Sequence, residues 1–147
     1  MTVAETTWLS IRESDLGDAE FYLRLLNEPS WIANIGDRGV RTKADAERYL
    51  RVKVMPSYAQ HGFGMYLLER KADGVPVGIC GVVRRDTFPD PDLGFALLED
   101  HWGRGYAFEA ATAVLTHAFV KLGIPRLLGI INPANERSGK LLERLGF

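Results

Sequence analysis

Residues 100–123, DHWGRGYAFEAATAVLTHAFVKLG, join a glycine-rich turn to an alanine-rich segment. Over 107–122 the apolar residues recur every three or four positions, which predicts a helix with one face against a sheet. The first N–H groups of a helix lack internal partners, and the helix dipole favours an anion there. Gly103 and Gly105 permit tight turns and let the backbone approach a ligand closely. With the positive charge of Arg104, these features predict a phosphate-binding site.

Two better-known glycine motifs do not fit this turn. The dinucleotide-binding pattern G-x-G-x-x-G requires a third glycine where Phe108 stands, and no Gly-Lys-Ser/Thr follows as a P-loop would need. A turn that merely connects a strand to a helix remains the alternative interpretation.

Composition favours one globular domain over residues 1–147. The chain is 46% hydrophobic and 25% charged, with a net charge of -1, so neither nucleic acid nor an anionic membrane is indicated as a partner. The single cysteine, Cys80, lies in an apolar run and is expected to be an inert core residue. No signal peptide, no apolar run of about 20 residues and no disulfide pair are found, which favours a cytoplasmic protein. The three histidines lack metal-ligand spacing, so no metal is expected.

Apolar patterning predicts an α+β domain of three α/β/α layers, with a mixed, mostly antiparallel sheet flanked by helices. The predicted order is β-α-α-β-β-β-α-β-α. Capping residues are expected at Ser14 or Asp15 and at Thr42, and Pro56 is expected to end the second helix. The predicted strands are 6–13, 63–71, 76–85, 92–100 and 125–132. The predicted helices are 15–28, with Pro29 just past its end, 42–56, 107–122 and 135–147, and 31–41 is a loop.

The sequence WGRGYAFEA resembles the pyrophosphate loop of the GNAT superfamily of acetyl-CoA-dependent N-acetyltransferases. The superfamily pattern, Gln/Arg-x-x-Gly-x-Gly/Ala, falls on residues 102–107. Trp102 replaces the leading Gln or Arg, as is typical of the branch that resembles ribosomal-protein alanine N-acetyltransferases. Asn135-x-x-Ser138 and the closing Leu-Gly-Phe agree with the same branch, and the resemblance covers nearly the whole chain.

The resemblance implies acetyl transfer from acetyl-CoA to a primary amine, by direct attack in a ternary complex. The acceptor would be a protein N-terminal amine or a small-molecule amine. A catalytically silent acyl-CoA-binding or interaction module on the same fold is the alternative. The implied cofactor-binding residues are Phe95, Ala96, Leu97, Trp102, Gly103, Arg104, Gly105, Tyr106, Ala107, Asn135 and Ser138.

A base is needed because alkyl amines, with a pKa near ~10, are mostly protonated at neutral pH. Side chains alternate along a strand, so Asp92 shares a face with the small residues Gly94 and Ala96. Asp92 is therefore the candidate base, directly or through water; an aspartate that only ends a turn is the alternative. A backbone N–H around 95–97 is expected to hold the oxyanion.

The general acid is inferred from the resemblance. Many superfamily members use a Tyr where this chain has Leu142, and in the related branch the Ser that matches Ser138 is thought to protonate the thiolate. A hydroxyl bonded to the helix backbone is the alternative role for Ser138.

The acceptor site is implied to lie in the segment after the first helix, with Trp31, Asp37 and Arg38 as candidate substrate-binding residues. Superfamily members normally continue with two further strands after the last helix, which this sequence does not contain. A truncated sequence, a tail that is not included and completion of the sheet by another chain are the three explanations. If the two strands are truly missing, strand 125–132 has an exposed edge, which favours a homodimer.

Overall fold

The computed structural model describes residues 1–130 and 135–147, which form a six-stranded sheet flanked by helices. The strands lie in the sheet in chain order. All neighbouring pairs are antiparallel except β5 and β6, which are parallel. The strands are β1 (Thr2–Glu5), β2 (Leu9–Glu13), β3 (Met65–Arg70), β4 (Pro76–Val83), β5 (Asp92–Leu97) and β6 (Leu128–Gly129). The helices are α1 (Ala19–Leu26), α2 (Pro29–Asn34), α3 (Lys43–Tyr49), α4 (Met55–His61), α5 (Tyr106–Thr116) and α6 (Glu136–Arg144).

Two apolar clusters lie on opposite faces of the sheet and confirm the layered α+β arrangement. On one face, α5 packs through buried Ala110, Ala111 and Val114, with Leu142 of α6 beside them. On the other face, α1 to α3 pack against β3 and β4 through a cluster that includes Trp31 of α2. The strand alternation is also confirmed, because Phe95 and Leu97 pack on the α5 side and Ala96 on the opposite side.

The element count differs from the prediction in three places. A strand that was not predicted, β1, precedes the first predicted strand, and a turn at Thr6 joins β1 to β2 through the Thr6 N–H and the Leu9 carbonyl, 2.8 Å apart. A helix that was not predicted, α2, begins at Pro29 and extends into the predicted loop 31–41. Pro56 does not end a helix: α3 continues through a π-helical turn (Leu50–Val54) into α4, and Pro56 lies in the first turn of α4.

Local caps start α3 and the 3-10 turn (Leu16–Asp18) that leads into α1. The Asp15 side chain accepts from the Gly17 N–H at the start of that 3-10 turn. At the start of α3, Thr42 accepts from the Asp45 N–H at 3.1 Å while Asp45 accepts from the Thr42 N–H. Both caps were expected from sequence. The last two residues of the predicted strand 125–132 lie outside the described residues. Within the described part of the chain, no helix is both long and apolar enough to cross a membrane.

Candidate active site

The turn before α5 presents unpaired backbone amides. Gly103 and Gly105 have φ values of +78° and +79°, a region that residues with side chains rarely adopt. Gly105 is the N-cap of α5, and its carbonyl accepts the first helical hydrogen bond from Glu109 at 3.1 Å. No side chain in the described residues caps this helix. The N–H groups of the first turn are therefore available to an anion.

A cavity of about 530 Å³ opens beside this turn. Its floor is the end of β5, at Phe95, Ala96 and Leu97. One wall is the first turn of α5, including Phe108, together with α6; the other wall is formed by the end of α1 and by α2. The α1–α2 wall contributes Leu25, Glu28, Ser30, Trp31, Asn34 and Ile35. The cavity therefore brings together the predicted phosphate site and the three residues of β5 that are implied to bind the cofactor.

The backbone of β5 is open toward the cavity. The Leu98 N–H donates to the Val77 carbonyl at 3.0 Å, which assigns the even-numbered residues of β5 to hydrogen bonds with β4. The odd-numbered residues point their N–H and C=O groups the other way. Among the described residues, β6 pairs only with Asp92 and Leu93, so Phe95 and Leu97 have no partner strand on that side. Ala96, which was predicted in the same group, points its backbone at β4.

Trp102 connects this edge to the neighbouring elements. Its indole Nε1 donates to the Leu97 carbonyl at 3.1 Å, and the guanidinium of Arg137 lies 4.4 Å from the centre of its ring. The family position that usually carries Gln or Arg is thus occupied by an aromatic donor that is bonded to β5.

Helix α6 and its N-cap residue line the cavity with polar and positively charged side chains. The Asn135 side chain accepts from the Ser138 N–H at 3.3 Å and so caps α6, and both residues line the cavity. Arg137, Lys140 and Arg144 also line it, and no carboxylate in the described chain forms a salt bridge with them. Sequence reasoning missed these cations, although their spacing of three and four residues marks one helix face.

Asp92 lies outside the cavity. It is 3% exposed, and its Oδ1 accepts from the Arg85 Nε at 3.0 Å. Tyr49 is close to this pair: burial raises the pKa of its hydroxyl, while Arg38 and Arg85 act in the opposite direction. Asp92 therefore belongs to a cluster of polar groups at the start of β5 and does not contact the cavity floor.

The remaining predicted residues also divide into those that line the cavity and those that do not. Trp31 lines the cavity and is 7% exposed, and its buried Nε1 has no hydrogen-bond partner among the described residues. Asp37 accepts hydrogen bonds from Arg41 and from the Gly39 N–H, away from the cavity lining. Arg38 and Arg104 are exposed and do not line the cavity either. Of the three candidate acceptor residues, only Trp31 reaches it.

Comparisons with known proteins agree with this geometry. Residues 9–147 match the family model of the acetyltransferase (GNAT) domain. The acetyltransferase from Agrobacterium tumefaciens is 27% identical and has a TM-score of 0.84, over 97% of this chain and 81% of that chain. A ribosomal L7/L12 α-N-protein acetyltransferase in complex with coenzyme A has the same TM-score at 18% identity, over 100% and 84% of the two chains, so it shows likeness of fold alone.

Two curated relatives match over shorter stretches. YkkB, an uncharacterised protein of Bacillus subtilis, is 31% identical over 89 residues, which are 59% of this chain and 52% of that protein. The ribosomal protein uS5-alanine N-acetyltransferase of Escherichia coli is 38% identical over 85 residues, which are 58% of this chain and 43% of that enzyme. The matched stretches thus span about half the length of these relatives.

Proposed function

Because the chain belongs to the acetyltransferase (GNAT) domain family, we propose that it transfers the acetyl group of acetyl-CoA to a primary amine in a ternary complex. The observation that carries the proposal is the cavity of about 530 Å³, onto which unpaired helix amides and an unpaired strand edge both open. A diphosphate and an amide-containing arm are the two groups that these surfaces suit.

The turn at Gly103, Arg104 and Gly105, called the phosphate turn below, fits a nucleotide-linked diphosphate. At Gly103 and Gly105 a Cβ would meet no protein atom within 4 Å, so the space over this backbone is open. The N–H groups of 105–108 would bind the phosphate oxygens, and the cations of α6 would add positive potential. Phe95 and Leu97 would hydrogen bond the pantetheine amides as a neighbouring strand would.

Acetyl-CoA would supply an activated thioester: the amine nitrogen forms the C–N bond, the C–S bond breaks, and one proton passes overall from amine to sulfur. The chain's own contribution is positioning and charge. The N–H of Phe95 or Leu97 would stabilise negative charge on the carbonyl oxygen. The Ser138 hydroxyl would donate a proton to the departing sulfur, because Ser138 lines the cavity. Leu142, in contrast, is buried at 6% exposure and has no proton to donate.

The base role of Asp92 stays a prediction. From its buried place beside Arg85 it would have to act through water. Glu28 is a carboxylate that does line the cavity, but its Oε1 lies 3.3 Å from the backbone nitrogen of Glu99, next to the phosphate turn. It is therefore too close to the diphosphate end to be the first choice for a base.

The acceptor wall favours a peptide N-terminal amine that carries a small side chain. Leu25, Trp31 and Ile35 offer apolar contacts, whereas Ser30 and Asn34 offer hydrogen bonds to a peptide backbone. A polyamine would face the three cations of α6 across the cavity and is disfavoured. The uS5-alanine N-acetyltransferase among the relatives supports the same acceptor class.

Thiol release from acetyl-CoA tests the proposal. We expect turnover with peptides that begin with Ala or Ser, and weak or no turnover with spermidine or free amino acids. Ser138→Ala should lower kcat while leaving coenzyme A affinity within about twofold, because the Ser138 N–H, which donates to the capping side chain of Asn135, is kept. Coenzyme A binding without turnover on any amine would favour the silent module, and absence of binding would refute both.

A homodimer through β6 also stays a prediction. β6 is the last strand of the described sheet, and an unpaired edge is a surface for strand pairing. Sedimentation velocity over a range of concentrations should show a dimer; a single monomeric species throughout would contradict the prediction.

A further inference from the structure

Trp102 holds three elements of the site together. Its indole N–H donates to the last carbonyl of β5, at Leu97, over 3.1 Å. Its backbone N–H donates to the Glu99 carbonyl at 3.1 Å, and Arg137 of α6 stacks on its ring. The residue immediately precedes the phosphate turn, so these contacts fix how that turn sits relative to β5.

The bond to Leu97 also limits what the open edge of β5 can offer. The backbone groups that face the cavity are those of Phe95 and Leu97, and the Leu97 carbonyl is already occupied by the indole. Among the described residues, the edge therefore presents one carbonyl, that of Phe95, and two N–H groups. An extended ligand with an amide can pair with this short edge in fewer ways than with an edge that has both carbonyls free.

We propose that Trp102 is a positioning residue: its indole N–H sets the distance and angle between the phosphate turn and the β5 edge, and so favours ligands that span both. The inference rests on the proposed function, since the spanning ligand is coenzyme A. The affinity of a ligand that contacts only the phosphate turn does not depend on how this turn is aligned with the β5 edge. For a ligand that touches both surfaces, the second contact forms at an effective concentration that depends on how rigidly the surfaces are held.

The substitution Trp102→Phe tests this, because it removes the N–H donor and keeps a ring for Arg137 to stack on. The probes are coenzyme A, which carries the pantetheine arm, and adenosine 3′-phosphate 5′-diphosphate, which lacks it. We expect the affinity for coenzyme A to fall about threefold to tenfold, the range for one neutral hydrogen bond, and the affinity for the truncated nucleotide to stay within about twofold. The KM for acetyl-CoA should rise in the same ratio as the Kd for coenzyme A.

The matched control is Trp8→Phe, the same change at a tryptophan that is 59% exposed and outside the cavity lining. It should leave both affinities unchanged. Equal weakening of both probes by Trp102→Phe would mean a general structural role and would overturn the inference, as would no change in either affinity. If the unmodified protein bound neither probe, the proposed function itself would fail, which is a different outcome from an altered ratio.

Discussion

Replacing Gly105 by Asp is expected to weaken coenzyme A binding through charge, and replacement by Asn isolates that charge. Both side chains have nearly the same shape, and a Cβ at this position would meet no protein atom within 4 Å. In the Asp variant a carboxylate would lie about 5 Å from a diphosphate bound at the first turn of α5. Coulomb's law gives a repulsion of about 1 kcal/mol per charge in water and about 3 kcal/mol at an effective dielectric constant of 20. The Asp variant should therefore bind roughly 5- to 150-fold more weakly than the Asn variant.

Backbone strain must be separated from this effect. Any residue but glycine at a φ of +79° costs about 1–2 kcal/mol of folding free energy. Gly74 offers a matched position: its φ is +72°, a Cβ there would also meet nothing within 4 Å, and it does not line the cavity. Gly74→Asp and Gly74→Asn should lower the free energy of unfolding by a similar amount and leave coenzyme A affinity unchanged.

Isothermal titration calorimetry at two ionic strengths measures the charge effect. The screening length is about 30 Å at 0.01 M salt and about 3 Å at 1 M, so the difference between Asp and Asn should shrink at high salt. Equal affinities of Gly105→Asp and Gly105→Asn at low salt would refute the placement of the diphosphate at this helix terminus.

Three further predictions follow from buried groups. Burial raises the pKa of the Cys80 thiol to about 12, so the native protein should react with a thiol reagent at pH 8 roughly 1,000-fold more slowly than the unfolded chain; equal rates would contradict this. Asp92→Asn should lower the free energy of unfolding by about 1–3 kcal/mol, because it weakens the pair with Arg85, and should flatten the alkaline rise of kcat/KM; an unchanged pH profile would remove Asp92 from the mechanism. Burial first and Lys121 second lower the pKa of His117, so below pH ~6.5 the unfolded chain binds a proton that the folded chain does not, and the free energy of unfolding falls. His117→Phe should reduce this loss between pH 7.5 and 5.5 in denaturant titrations, and an unchanged loss would argue against it.

The parts of the fold that depend on short-range chemistry could be predicted from sequence. The caps at Asp15 and Thr42 form because a side chain and an N–H two or three residues away are sufficient for them. The phosphate turn is local in the same sense, because two glycines at positive φ and a helix start are all that it requires. None of these features depends on which distant element packs nearby.

Two prolines lie in the first turn of a helix, where the missing N–H costs nothing, although Pro56 was expected to end one. For Pro56 the preceding turn widens, with the Met55 N–H bonded to the Leu50 carbonyl, so the chain continues in helical form past the ring. Pro29 does lie just past the end of α1, as predicted, but it also begins α2, which was not predicted. That omission matters for the site, because α2 brings Trp31 and Asn34 to the cavity wall.

The candidate catalytic residues were harder to predict, because their positions depend on what lies across the sheet. Alternation correctly places Asp92 on the face of Ala96, but it gives no sign that Arg85 reaches over from the end of β4 to pair with it. The cations of α6 were visible in the sequence, but their position beside the first turn of α5 was not, and it is seen in the stacking of Arg144 on Phe108.

Sequence alone could not show which residues of β5 hydrogen bond to β4 and which point their amides the other way, and this is the most informative feature for the chemistry. A single bond, from the Leu98 N–H to the Val77 carbonyl, determines that Ala96 is paired with β4 and that the amides of Phe95 and Leu97 face the cavity. A shift of one residue between β4 and β5 would exchange these roles and turn the side chains of Phe95 and Leu97 away from α5. The buried packing on that face opposes such a shift. The same contacts that stabilise the core therefore select which two amides are available to an oxyanion.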